Sequence, residues 1–103
     1  MIDYKEEQKM IYVGIYKDNV KVGQVWVDVL NKNLSGFEIF VPYQNKGYGQ
    51  EALKYFIDNY GIKYLEVKAD NEKAKHIYEK LGFKYINPKY YQMELQKEVL
   101  EDE

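Results

Sequence analysis

The chain has 103 residues, 46% of them apolar and 31% charged, with a formal net charge of −2. That suits one small soluble domain, and no apolar run nears the roughly 18 residues of a membrane span. There is no Cys, Thr or Arg, one Ser (Ser35) and one His (His76), which excludes disulfides, a cysteine nucleophile and thiolate or multi-His metal sites.

Basic and acidic residues are interleaved, so no basic stripe invites nucleic acid. No signal-like segment opens the chain, and the default expectation is a cytoplasmic protein without membrane contact. A Ser-His-Asp triad would have to use Ser35 and His76, with Ser35 in a predicted turn. Any side-chain cation offered to a phosphate must be Lys, a flexible point charge rather than a rigid fork.

Met10 to Tyr16 alternates and is rich in β-branched and aromatic residues, which predicts a strand. Lys17-Asp18-Asn19 is a turn signal. Val20 to Leu30 predicts a second, longer strand with Lys21, Gln24 and Asp28 at exposed positions. Asn31 to Gly36 reads as a turn and Phe37 to Val41 as a third strand, and the short connections make the three an antiparallel meander. The period then changes: Ala52, Leu53, Phe56, Ile57 and Tyr60 form one helical stripe between Gly49 and Tyr60, and Gly61 follows where a left-handed cap belongs.

Tyr64 to Val67 reads as a short buried strand. Asp70 or Asn71 can cap a second helix with the stripe Ala74, Ile77, Tyr78 and Leu81, stopped by Gly82. Phe83 to Ile86 and Tyr90 to Leu95 read as a closing pair of strands around Asn87-Pro88-Lys89. The fold class is mixed α/β (α+β), in the order β-β-β-α-β-α-β-β, as a single domain over 1–96. Residues 97–103, ending Glu101-Asp102-Glu103, are expected to be a frayed acidic tail. The strand–helix–strand unit from Phe37 to Val67 should be a right-handed crossover with parallel strands, and the loop at the end of its first strand is a natural ligand position.

That loop reads Gln44-Asn45-Lys46-Gly47-Tyr48-Gly49. Glycine permits positive φ and close approach of a ligand. The first N–H groups of the following helix lack intrahelical partners, and the helix dipole adds roughly half a positive charge there. Together they make a seat for phosphate oxygens, to which Lys46 can add a cation. The spacing is wrong for a P-loop, and a dinucleotide fingerprint would need a third Gly where Ala52 stands. Taken alone, two glycines in a tight turn would also explain the loop.

Two motifs together carry a resemblance. The loop resembles the pyrophosphate loop Gln/Arg-x-x-Gly-x-Gly/Ala of the GCN5-related N-acetyltransferase (GNAT) superfamily. The stretch Asn71-Glu72-Lys73-Ala74-Lys75-His76-Ile77-Tyr78-Glu79-Lys80-Leu81-Gly82-Phe83 resembles that family's Asn-initiated helix with a Tyr followed by Gly-Phe. The likeness covers roughly Met10 to Leu95. It implies acetyl-CoA as co-substrate, no metal, and transfer to a primary amine. In such proteins the strand before the loop splays from its parallel neighbour and coenzyme A lies in the gap. The resemblance then gives the pantetheine to backbone near Phe40 and Val41. It gives the pyrophosphate to the loop from Gln44 through Asn45, Lys46, Gly47, Tyr48 and Gly49 to Gln50, with Asn71 beside the cofactor. Tyr78 takes the general-acid position, although it also lies on the apolar stripe and would serve there as core. Glu38 is the candidate base, and a solvated strand-face Glu is the plainer reading. His76 reads as an exposed helix residue. With no Cys there can be no acyl-cysteine intermediate, and direct attack of the amine on the thioester in a ternary complex is the expected route.

The chain departs from the family in its short first half and in a compact loop after the third strand, where only Pro42 and Tyr43 separate Val41 from Gln44, which leaves the register of Glu38 against the family's base open. Typical members carry a strand and a helix pair ahead of the long antiparallel strands, and here about nine residues precede the first strand. The acceptor side should therefore be open, suited to a peptide terminus, a protein Lys or a small amine, or completed by a second copy in a homodimer. An open acceptor side also suits a non-catalytic acyl-CoA-binding or regulatory module on the same fold.

Overall fold

The chain folds as β1 (Met10–Lys17), β2 (Val20–Asp28), β3 (Asn33–Ile39), a 3₁₀ turn (Val41–Tyr43), α1 (Tyr48–Tyr60), β4 (Tyr64–Glu66), α2 (Glu72–Lys80), β5 (Phe83–Asn87) and β6 (Gln92–Leu95). This computed structural model describes residues 1–67, 72–87 and 92–96. The expectations for Asp70, Asn71, Pro88 to Tyr91 and the acidic tail lie outside the described residues. The order of elements is the expected one.

The six strands form one sheet in the order β1-β2-β3-β4-β6-β5. β3 and β4 are parallel, and the other pairs are antiparallel. Asp18 and Asn19, with φ of 50° and 67°, make the two-residue turn whose twist matches a β-hairpin. Gly61 ends α1 in the left-handed conformation, φ 62°.

Two local readings are corrected. Asn31 to Gly36 is not one turn: the reversal falls earlier, with Lys32 at φ 56°, and Asn33 already opens β3. Leu34 forces this, because it is fully buried opposite Val27. Ser35 therefore sits on the sheet, facing Trp26. Asp28 is not exposed either; it retains 4% of its surface. Its carboxylate is satisfied by the Asn31 side-chain amide at 2.7 Å, the Asn31 N–H at 3.3 Å and the Lys9 N–H at 3.2 Å. The Asn31 side chain is the main cause holding its pKa below the usual carboxylate value.

Alternation divides the sheet into two unequal faces. Val25, Val27 and Leu34 turn to one side and join Leu53 and Phe56 of α1, Tyr78 of α2, Leu65, Phe83 and Met93 in one core, with Ile11, Val13 and Phe37 packed against it. Successive right-handed crossovers running the same way along the sheet put both helices on this face. The other face carries Tyr12, Gln24, Trp26, Ser35 and Glu38. No helix covers it among the described residues. Tyr12 and Trp26 each keep 46% of their surface, with ring centroids 5.0 Å apart.

Candidate functional site

β3 and β4 share only the rungs Asn33–Tyr64 and Leu34–Leu65, after which β3 runs on to Ile39 without a strand on that side among the described residues. The parting coincides with a bulge. Trp26 faces Ser35 but Gln24 faces Glu38, so β3 holds one more residue than β2 over this interval. Gly36 in it takes φ 60°. A bulge bends and twists its strand, which steers the second half of β3 away from β4. On the other flank β2 lies close: a Cβ at Gly23 would stand 2.4 Å from the Glu38 carbonyl oxygen, so only glycine fits.

The chain leaves β3 under several ties. The Phe40 N–H donates to Val22 O at 2.8 Å, and the Tyr43 N–H donates to Phe40 O at 2.9 Å. Phe40 thus faces β2, and by pleat parity the N–H groups of Ile39 and Val41 face the opening instead. The Gln44 side-chain amide donates to Ile39 O at 2.8 Å, fastening the loop to the strand end. Asn45 (φ 65°) and Gly47 (φ 83°) then take left-handed conformations, and α1 begins at Tyr48. The first N–H returned to the helix is that of Glu51, to Gly47 O at 3.1 Å, and no side chain caps this end. The N–H groups of Tyr48, Gly49 and Gln50 are thereby left for an external acceptor. Gly47 answers to conformation and not to crowding, since a Cβ there would meet nothing within 4 Å. Gly49 answers to neither within the protein: a methyl would rest 3.6 Å from Ile39 Cγ1, an ordinary contact.

Lys46 is exposed on this loop. A second lysine reaches it from α2: the Lys73 ammonium donates to Asn45 Oδ1 across 28 positions of sequence. Nothing in the local pattern marks Lys73 for this. It lies inside the Asn71–Phe83 motif, but its meeting with the loop is a product of the crossover.

Tyr78 keeps 8% of its surface. Its ring stacks on Phe37 at 6.3 Å and 20° and meets the Phe83 ring at 6.4 Å. Burial pushes the hydroxyl up to about 12, so the neutral phenol is the form present near neutrality. No hydrogen bond to that hydroxyl is found among the described residues. Glu38 follows Phe37 in β3 and so points to the opposite, bare face, where it is exposed. Gln24 Nε2 donates to Glu38 Oε1 at 3.0 Å, Tyr12 Oη donates to Gln24 Oε1 at 2.5 Å, and Lys21 Nζ donates to Tyr12 Oη at 2.5 Å. The fold thus brings Tyr78 and Glu38 to the same stretch of β3 from its two sides. His76 is exposed, as expected. Two grooves lie elsewhere: one of about 330 Å³ between the hairpin end and α1, lined by Ile15, Tyr16, Ala52 and Tyr55, and one of about 360 Å³ over Asn33, Tyr64 and Glu66.

A model of the acetyltransferase (GNAT) family matches residues 1–83. Among curated proteins no match was found. Among solved structures, the ribosomal-protein-S18-alanine N-acetyltransferase from Escherichia coli is similar with a TM-score of 0.62 at 21% identity, over 86% of this chain and 66% of that one. The PaiA N-acetyltransferase from Thermoplasma acidophilum, in complex with coenzyme A, gives 0.60 at 22% identity, over 82% and 59%. Mutant forms of the spermidine/spermine N-acetyltransferase SpeG from Vibrio cholerae give 0.54 at 21% identity, over 89% and 70%. At such identities the likeness is one of fold, and the chain spans less than two thirds of the length of the first two.

Proposed function

The chain belongs to the acetyltransferase (GNAT) family, and on that premise we propose that it moves an acetyl group from acetyl-CoA to a primary amine by direct attack in a ternary complex. The observation that carries this reading is the uncapped start of α1 at the mouth of the β3/β4 opening. The pyrophosphate takes the N–H groups of Tyr48, Gly49 and Gln50, with Lys46 alongside. Gln44, Asn45 and Gly47 shape the loop that presents them. The pantetheine amides run along β3 and pair with Ile39 and Val41, whose N–H groups face the gap, rather than with Phe40. Asn71 stands beside the cofactor by resemblance alone.

The acceptor approaches over the bare face. A lysine-like amine has a pKa of about 10.4, so freeing its lone pair at pH 7 costs roughly 4–5 kcal/mol. Glu38, directly or through water, takes that proton. The nitrogen then forms the new C–N bond, the C–S bond breaks, and the thiolate accepts a proton. A thiol has a pKa of about 8.5, well below the about 12 of Tyr78. Tyr78 therefore serves the sulfur as a hydrogen-bond donor while charge develops; the second proton, shed by the nitrogen as the amide forms, ends on the thiol, and the first leaves Glu38 for water. Acceptors of the similar structures include, by their names, an alanine of ribosomal protein S18 and spermidine or spermine, and the open face suits either shape.

A second reading, acyl-CoA binding without turnover, draws on the same open face. Thiol release from acetyl-CoA over a panel of peptide N-termini, lysine peptides and polyamines separates the two. Release stimulated by an amine is the expected result. Binding of acetyl-CoA with no release across the panel would leave the binding module.

A further inference from the structure

We propose that Lys73 is a phosphate ligand of the coenzyme site, parked on Asn45 in the free protein and handed to the pyrophosphate when the cofactor binds. The inference rests on the coenzyme reading above and deepens it. Lys73 stands in the first turn of α2, and its ammonium donates to Asn45 Oδ1. Asn45 is two positions before Gly47, the residue that opens α1. The ammonium therefore sits on the loop that leads into the Tyr48–Gln50 N–H groups.

The present partner is a weak one. An amide oxygen is neutral, and both side chains are exposed, so water competes for each. The carboxylate next to it in sequence is taken, because Glu72 pairs with Lys75 at 2.6 Å. A phosphate oxygen is charged, and hydrogen bonds between ionised partners are about twice as strong as neutral ones. The exchange of Asn45 for phosphate is then favourable. The chain has no Arg, so side-chain cations for a diphosphate come from lysines, and among the described residues Lys46 on the loop and Lys73 on the helix stand at this loop. α2 also carries Tyr78. A phosphate grip on its first turn fixes the helix that presents the phenol, so the cofactor's distant end helps to seat the group that serves its sulfur.

Titration calorimetry of the full chain with coenzyme A and with dephospho-coenzyme A, at two salt concentrations, tests this. Lys73→Met should weaken both ligands about tenfold and flatten the salt dependence, and Lys73→Arg should recover most of the affinity. Equal affinity of Lys73→Met and the unaltered chain for coenzyme A would overturn the proposal. A loss confined to coenzyme A would also overturn it, because it would put Lys73 on the 3′-phosphate. Failure of the unaltered chain to bind either ligand would remove the coenzyme reading as a whole, and this inference with it.

Discussion

The two ends of the opening are built from different materials. At the α1 end the candidate groups are backbone: N–H groups aimed by one left-handed glycine and by the Gln44 amide on Ile39 O. At the bare face they are side chains, namely Glu38, Gln24, Tyr12 and Trp26, half in water and linked in a row. A ligand part that never varies can be held by a backbone that barely tolerates change. A ligand part that differs between enzymes is met by groups that can be exchanged. The contrast predicts that damage at the first end falls on coenzyme affinity, and damage at the second falls on turnover and choice of amine.

The largest expected effect tests the junction of the two. Tyr78→Phe keeps the ring on Phe37 and removes only the hydroxyl, so turnover should fall about 100-fold while the melting temperature stays close to that of the parent. Unchanged turnover would remove Tyr78 from the chemistry and leave it as core. The same variant has a pH signature. The folded phenol is raised to about 12 and an unfolded one titrates near 10. Its contribution to stability is whole below pH 10 and is lost as pH climbs toward 12, so alkaline unfolding should be shallower in Tyr78→Phe than in the parent.

Gly23→Ala should come next. The added methyl meets backbone at 2.4 Å, and overpacking of this kind costs about 1–3 kcal/mol; a denaturant melt reads it. Because the strain falls on the Glu38 carbonyl and on the rung of Ile39, turnover and coenzyme affinity should both drop. Glu38→Gln should cost about tenfold in turnover, with the loss relieved at high pH where the amine is already free. A pH profile parallel to that of the parent would exclude Glu38 as the base. The smallest effects compare the two loop glycines. Gly47→Ala should cost about 1 kcal/mol through its positive φ and weaken coenzyme A. Gly49→Ala should leave stability unchanged, since its methyl finds an ordinary contact.

Much of the fold was legible wherever a rule acts over a few residues. The shift from alternation to a helical stripe located α1 and α2, and Gly61 and Gly82 marked their ends with φ of 62° and 101°. Asp18-Asn19 announced its hairpin. Legibility ended where distant partners decide. Leu34 began a strand inside an apparent turn because Val27 stood across from it. Asp28 looked like a solvent position and became the anchor of a turn because Asn31 and Lys9 bring it donors. At the site, the loop and Tyr78 were readable as motifs. The bulge that opens β3, the orientation that favours Ile39 and Val41 over Phe40, and the arrival of Lys73 all depend on strand register or on a crossover. No window of neighbouring residues contains them.

The uneven sheet has a consequence for how this protein can change. On β2 and β3 the two faces answer to different pressures: Val25, Val27 and Leu34 hold the core, while Gln24, Trp26 and Ser35 stand on the bare face with Tyr12 and Glu38. A mutation at one of the latter can redraw the surface an acceptor meets without touching the packing that keeps the fold together. The pleat thereby separates inheritance of shape from exploration of substrate, at a spacing of a single residue.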